Sequence, residues 1–478
     1  MKNITRLLSV VLALAMLFAL AACGGNTDAT GSVETSSVAE TSSSGGQVLP
    51  DAPVIDETLP GLNSVDETIT TGVRLDSNGN LLYRPEDVGE LDNSFVTSLV
   101  SPAPEDEWLD YCVRWKEEAY GLEYDYDVAA WGERDMKWVA AYVGGDAYDI
   151  IIRSNFPTTA VKGLLEPLDL HLPTNDTRYF ATPYTWKDHV YGISVLSLNY
   201  NFKDVGELHG VWYNADIFEE NGVTTPLELW ENGEWTFDTF IETAEALTLD
   251  TDRDGLNDIW GWTTWVKHMF TIGNGAKTLD LTRDNIELLW NEPAYINGLE
   301  YLVNALPYYM SNGGETSFTS GKVAMWVERI QHASKFSQDS PNCKINFEAV
   351  WVPFPTGPDG EGYLGLVSDG AEIQCIGKGA KNIEGAKVWI CADICKFDYV
   401  EPTGATMMMG VEQDTLDMAL AVEEYIMKDY FGNIGTMSNI MQKVWSESVT
   451  LGAKAAIEKY TPAMEEQIRI ILADTSLE

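Results

Sequence analysis

Residues 250–258 read DTDRDGLND. Carboxylates at positions 1, 3, 5 and 9, a glycine at 6 and a main-chain carbonyl at 7 match the first nine positions of an EF-hand calcium loop. A hard cation takes several oxygens at about 2.3–2.6 Å, and odd spacing around a glycine turn lets alternate side chains converge on one point. The expected ligands are Asp250, Asp252, Asp254, the carbonyl of Leu256, and Asp258. Position 12 is Gly261, so the bidentate glutamate is missing, which implies weaker affinity or a ligand from elsewhere. No His or Cys stands nearby, so no open transition-metal position is implied. Ca²⁺ would act as a staple, fixing the loop that leads into WGWTTW and offsetting carboxylates that would otherwise repel. The competing reading is an acidic surface turn that holds no metal.

Other chemistry is weakly signalled. The chain has no G-x-S-x-G elbow and no H-E-x-x-H, and its five histidines are scattered singly. TSGKV at Thr319–Val323 lacks the upstream glycine and the Ser/Thr of a phosphate-binding loop. With 74 acidic residues, a catalytic carboxylate pair is always available on paper, so a lipid-anchored secreted glycoside hydrolase stands as the alternative function. Cys112, Cys343, Cys375, Cys391 and Cys395 form an odd, scattered set, which is no disulfide framework. Buried free thiols are the expectation for Cys391 and Cys395 on one helix, with a zinc pair or a local bridge as alternatives.

These residues sit in a chain of 478 with 45% hydrophobic and 22% charged residues, an ordinary globular balance. MKNITR followed by LLSVVLALAMLFAL has the charged start and short apolar run of a signal peptide. It ends in LAAC, which resembles a lipobox: cleavage before Cys23 and lipid on its sulfur are expected. Losing Lys2 and Arg6 takes the net charge from −44 to −46, which argues against nucleic-acid and anionic-lipid partners. Residues 24–60 are rich in Gly, Ser, Thr, Asp and Glu and contain no Lys or Arg, a composition unable to bury a core. As a flexible tether they would reach about 35 Å.

From Asn93 the pattern alternates strand and helix. SFVTSLVSP predicts a strand, DEWLDYCVRWKEEAYG a helix stopped by glycine, LEYDYDVAAW an alternating strand, ERDMKWVAAYVGG a helix and YDIIIRS a buried strand. That order predicts a parallel sheet covered by helices, whose ligands bind beyond the carboxyl ends of strands. The tail from Gln413 reads as mostly helical. No 20–50-residue repeat is present, so a solenoid or propeller is not expected.

Four stretches resemble the extracellular solute-binding proteins of ABC importers, family 1, the maltose-binding-protein-like lipoproteins. They are GGDAYDIIIRSN with AVKGLLEPLD; VYGISV with HGVWYNADIFEENGV and GEWTFDTFIETAEALTLDTDRDGLNDIWGW; FTSGKVAMWVE; and VPFPTGPDGEG with IGKGAKNIEGAKVWI. They follow the family's order from residue 144 to 395. Tyr148 departs from it, standing where a proline is common. The resemblance implies an α/β, two-lobe periplasmic-binding-protein-like fold with hinge strands and a ligand cleft between lobes. The expected division is 1–22 signal peptide, 23–60 lipidated Cys and linker, 61–199 with 328–401 the N-terminal lobe, and 200–327 with 402–478 the C-terminal lobe. Crossings are expected near Asn199 and Glu328, with a return near Pro402. Many members carry an acidic segment after the same helix as DTDRDGLND, which favours calcium there.

Sugar sites combine aromatic plates for C–H faces with planar hydrogen-bonding groups. On the family pattern, solute contacts are expected at Trp131, Ser154, Asn155, Trp186, Trp262, Trp265, Glu328, Arg329, Gln331 and Asp369, with core packing the competing role for each tryptophan. The resemblance implies a monomeric, non-enzymatic protein that captures a carbohydrate, an oligosaccharide by its aromatic abundance, and delivers it to permease subunits from the outer face of the membrane. Service to a sensor kinase is an open alternative.

Overall fold

The computed structural model describes residues 71–473, apart from 101–102, 105–108, 131–132, 153–154, 196–207, 283–284, 337–342, 361–372, 401–412, 423–428, 430–433 and 435. The expected signal peptide, Cys23 and the 23–60 linker lie outside the described residues.

A small antiparallel pair, β1 (Arg74–Leu75) and β2 (Leu81–Leu82), opens the described chain. β3 (Phe95–Val100) is buried at four of its six positions, with strands flanking it on both sides. Helix α1 (Trp115–Tyr120) ends at Gly121, whose φ of 65° supplies the left-handed stop read from the sequence. β4 (Glu123–Val128) runs parallel to β3 at the sheet edge, with the Tyr124 ring turned inward onto Trp389 at 4.4 Å. Helix α2 (Arg134–Gly144) leads to β5 (Ile150–Ile152), also parallel to β3. Thus three strands form the expected parallel unit.

After helix α3 (Thr158–Val161) and β6 (Leu165–Glu166) come β7 (Phe180–Trp186) and β8 (His189–Val195), an antiparallel hairpin turned at Lys187 and Asp188. A central strand of this sheet, β15 (Gln374–Gly377), arrives from much later in the chain and pairs antiparallel with β5, β6 and β8. The order is β4-β3-β5-β15-β8-β7 with β6 on β15, a mixed sheet. Helix α11 (Ile383–Ala392), capped by Asn382, follows β15 and covers one face of the sheet with α1. The five cysteines are free thiols, and Cys391 and Cys395 are buried in that core.

The second lobe is built on β9 (His209–Asn214), buried throughout. Asn214 accepts the Ile217 N–H and so starts helix α4 (Ala215–Asn221). Thr225 and Glu228 form a capping box on α5 (Pro226–Glu231), and Thr236 with Thr239 does the same for α6 (Phe237–Ala246). β10 (Trp260–Thr264), helices α7 (Met269–Gly273) and α8 (Pro293–Ala305) around the hairpin of β11 (Leu279–Thr282) and β12 (Asn285–Leu288), and helix α9 (Glu315–Thr319) follow. β13 (Val323–Arg329) then lies parallel to β10 and antiparallel to β9. After the short helix α10 (Ala333–Phe336), β14 (Ala349–Pro353) pairs with β9 along its length. The sheet order is β10-β13-β9-β14. The tail is helical as expected: α12 (Gln413–Ala421), then α13 (Met437–Leu451) and α14 (Ala453–Ala473), which pack on each other and on α8. Helix α14 also touches α3 of the first lobe.

The lobe division needs one correction. Residues after Glu328 stay with β9: β14 is its partner, Phe237 N donates to Thr356 O, and Asp359 is bonded by Asn274 and Asn297. Ile373 leads into β15 in the sheet of the first lobe, so the second crossing does not fall at Glu328. The crossings expected near Asn199 and Pro402 lie outside the described residues. Among the described residues no helix is long and apolar enough to cross a membrane.

Candidate functional site

β10 ends at Thr264, opposite Val327 of the parallel strand β13, which runs on to Arg329. The next residues are Trp265 on one and Glu328 and Arg329 on the other. Because β9 is antiparallel to β13, its first residues, His209 and Gly210, stand opposite Arg329 and Glu328. Three strands therefore converge four side chains at the carboxyl ends of a parallel pair, where α/β sheets place ligands.

The Trp265 indole N–H donates to Glu328 Oε2 at 2.6 Å. The Arg329 backbone N–H donates to Glu328 Oε1 at 3.0 Å, with Arg329 Nε at 3.6 Å and His209 Nε2 at 3.7 Å from the same oxygen. The Arg329 guanidinium lies 5.7 Å from the Trp265 ring, and the His209 ring meets it edge-on, also at 5.7 Å. Glu328 is 4% exposed, and this burial pushes its carboxyl up, against the lowering pull of Arg329 and Trp265. Trp265 is 49% exposed. With its N–H engaged, the ring has an apolar face to offer, the surface on which sugar C–H groups stack.

Trp262, expected as a second plate, belongs to the core. It is fully buried, its N–H donates to Ala305 O at 2.8 Å, and Phe240, Phe270 and Tyr309 surround its ring. Trp186 is 2% exposed beside the β7–β8 turn and packs in the core. Asn155 is tied to α2: its amide donates to both Asp135 oxygens at 3.0 Å, and its carbonyl accepts from Arg134 at 2.7 Å. Its side chain thus braces the loop after β5. Trp131, Ser154 and Asp369 lie outside the described residues, and Gln331 falls in the 330–332 turn, with only its backbone described.

No local pattern in the sequence marks His209, the first residue of β9, nor Lys267. The Lys267 ammonium donates to the Tyr309 hydroxyl at 3.0 Å, which donates in turn to Thr264 O at 2.9 Å. A pocket of about 370 Å³ lined by Thr97, Asp125, Asp127, Tyr148 and Asp149 lies on the first lobe, away from Trp265.

At the acidic loop, carboxylate oxygens of Asp250, Asp252 and Asp254 lie within 4.8 Å of one another. The N–H groups of Asp254, Gly255 and Leu256 donate back to those carboxylates, and Gly255 takes φ 92° to let the chain turn. An all-oxygen donor set on a glycine turn suits a hard cation such as Ca²⁺. Asp258 is not in this cluster: its Oδ2 accepts from Thr251 N at 2.8 Å and from Asp252 N.

Comparison with known proteins identifies the family and the fold. The model of a family described as bacterial extracellular solute-binding protein matches residues 97–391, more than half of the chain. No curated protein sequence matches. Among solved structures, an ABC substrate-binding protein from Listeria monocytogenes in complex with cycloalternan superposes with a TM-score of 0.53 at 16% identity, covering 81% of this chain and 100% of that one. The GacH receptor of Streptomyces glaucescens, described unliganded and with acarbose, gives 0.55 at 15% identity over 80% of this chain and 99% of that one. The maltose/maltodextrin-binding domain from Bdellovibrio bacteriovorus bound to maltotriose gives 0.53 at 16% identity over 78% and 100%. The fold is thus the two-lobed one of periplasmic-binding-protein-like solute-binding proteins.

Proposed function

The chain belongs to the bacterial extracellular solute-binding proteins, and on that premise we propose that it captures a carbohydrate, an oligosaccharide in the first instance, for an ABC importer. The observation that carries this reading is Trp265: a half-exposed indole at the carboxyl end of β10 with a guanidinium and a carboxylate beside it. The similar structures of the Listeria and Bdellovibrio proteins, described with cycloalternan and maltotriose, support the same solute class.

Capture proceeds by population shift. Open and closed lobe arrangements differ by a small free energy, and a solute that contacts both lobes favours the closed one by its differential affinity. Permease subunits then read the closed form, and ATP hydrolysis takes place in other chains. No residue of this chain needs to make or break a covalent bond. The lipid anchor at Cys23 keeps the monomer on the outer face of the membrane, and the linker lets it swing between solvent and permease. Ca²⁺ at Asp250, Asp252 and Asp254 steadies the segment entering β10, and takes no part in solute chemistry.

The test is a thermal-shift screen of the chain from Cys23 onward against mono- and oligosaccharides, because a ligand bound only by the native state raises the midpoint. A rise with one sugar class, with the sugar recovered intact, establishes capture and names the solute. Sugar cleavage would move the protein to the glycoside hydrolases.

A further inference from the structure

Glu328 is one of three buried acids among the described residues, with Asp149 and Asp429. Most of the 74 acidic residues can stay in water, whereas this one is 4% exposed at the end of a strand. A buried carboxylate persists only where donors satisfy it. Both of its oxygens are engaged, Oε2 by the Trp265 N–H and Oε1 by the Arg329 backbone, with His209 and the Arg329 side chain close behind. A residue so enclosed is poorly placed to meet a solute. Trp265, by contrast, follows the last residue of β10 and is half exposed, so packing alone leaves its ring several staggered orientations. A hydrogen bond as short as 2.6 Å to a buried acceptor is enough to select one of them.

We propose that Glu328 is a positioning residue: through its hydrogen bond to the indole N–H it fixes the Trp265 ring as a stacking plate, and it does not itself touch the solute. This rests on the reading of Trp265 as the solute plate. Two consequences follow for specificity. The indole N–H is withdrawn from hydrogen bonding to sugar hydroxyls, so the ring recognises by its face alone. The negative charge of Glu328 also offsets Arg329 beside it, so the plate suits the C–H face of a neutral sugar rather than an acidic one. Because Gly210 and His209 of β9 stand opposite Glu328 and Arg329, the plate is referenced to the strand that opens the second lobe.

The experiment is ¹⁹F NMR of the full chain labelled with 5-fluorotryptophan and free of sugar, with the Trp265 resonance assigned by Trp265→Phe. Glu328→Gln keeps an acceptor for the N–H and should leave the Trp265 resonance sharp and nearly in place. Glu328→Met removes the acceptor and should shift and broaden it, while the other tryptophan resonances stay put. An unmoved Trp265 resonance in Glu328→Met overturns the proposal. Should that variant not fold, the wild-type protein still decides: the Trp265 indole proton must exchange at least tenfold more slowly than a free indole, and exchange at the free rate overturns the positioning role. Maltotriose titration separates the two readings. Loss of at least tenfold in affinity for Glu328→Met with near-full retention in Glu328→Gln supports both. A moved resonance in a protein that binds no sugar sustains the positioning role and sinks the carbohydrate reading.

Discussion

Gly261 presses directly on the backbone of Ala244: a Cβ at this position would stand 2.1 Å from the Ala244 carbonyl oxygen. This contact explains why the acidic loop lacks the glutamate that closes an EF-hand at its twelfth position. The residue that would carry it is already in β10, where Thr248 Oγ1 accepts its N–H at 3.1 Å and the strand lies against helix α6. Gly261→Ala is therefore expected to destabilise the protein by about 2 kcal/mol or more, since backbone atoms must move to admit the methyl. Urea unfolding of the variant measures this, and an unchanged midpoint would show that α6 and β10 separate at little cost.

Trp262 and Trp265 should divide cleanly between stability and binding. Trp262→Ala empties the space between Phe240, Phe270 and Tyr309 and orphans the Ala305 carbonyl, a loss of about 3–5 kcal/mol. Trp265→Ala removes a half-exposed ring, costs little stability, and should weaken sugar binding at least tenfold. Melting temperature and calorimetric affinity measured on both variants test the division. Equal losses of stability would make Trp265 a packing residue.

The pair also shows what could be read without coordinates. The stop at Gly121 was legible because it depends on a few neighbouring residues. The strand and helix order of the first lobe was legible for the same reason. The fates of two tryptophans three residues apart were not, because one lies inside β10 and the other just past its end, and strand ends carry no local mark. Nor could any local pattern reveal that β14 pairs with β9, which keeps the residues after Glu328 in the second lobe. His209, Glu328 and Trp265 meet only because three strands distant in sequence share a register.

Calcium should act on stability alone. With Asp250, Asp252 and Asp254 clustered at the loop, added Ca²⁺ is expected to raise the melting temperature and EGTA to lower it. Asp250→Asn with Asp254→Asn should abolish that response while leaving sugar affinity within about threefold. Asp258→Asn should preserve most of the response, since that carboxylate is committed to Thr251. A Ca²⁺ response that survives in the double variant would place the ion elsewhere.

Glu315 offers a test of pH dependence away from the site. Burial alone would raise its carboxyl, but the Lys335 and Lys344 ammonium groups, at 2.7 and 2.6 Å, reverse this and bring it down to about 2. A carboxyl whose pKa is lower folded than unfolded contributes stability above the ordinary value of 4.5, and that contribution is lost as pH falls from 4.5 towards 2. Solvent reaches part of this cluster, so the contribution at neutral pH is on the order of 1–2 kcal/mol. Glu315→Gln should accordingly lower stability at pH 7 and converge with the wild type near pH 2. Partly buried His332 beside it, held down to about 3 chiefly by burial, destabilises the native state below pH 6.5 in both proteins; Glu315 works against that depression, so the variant's native state is disfavoured slightly further there. Urea midpoints of the two proteins across pH 2–7 measure the difference between them. A gap that stays constant over the range would mean that Glu315 acts through packing and not through its charge.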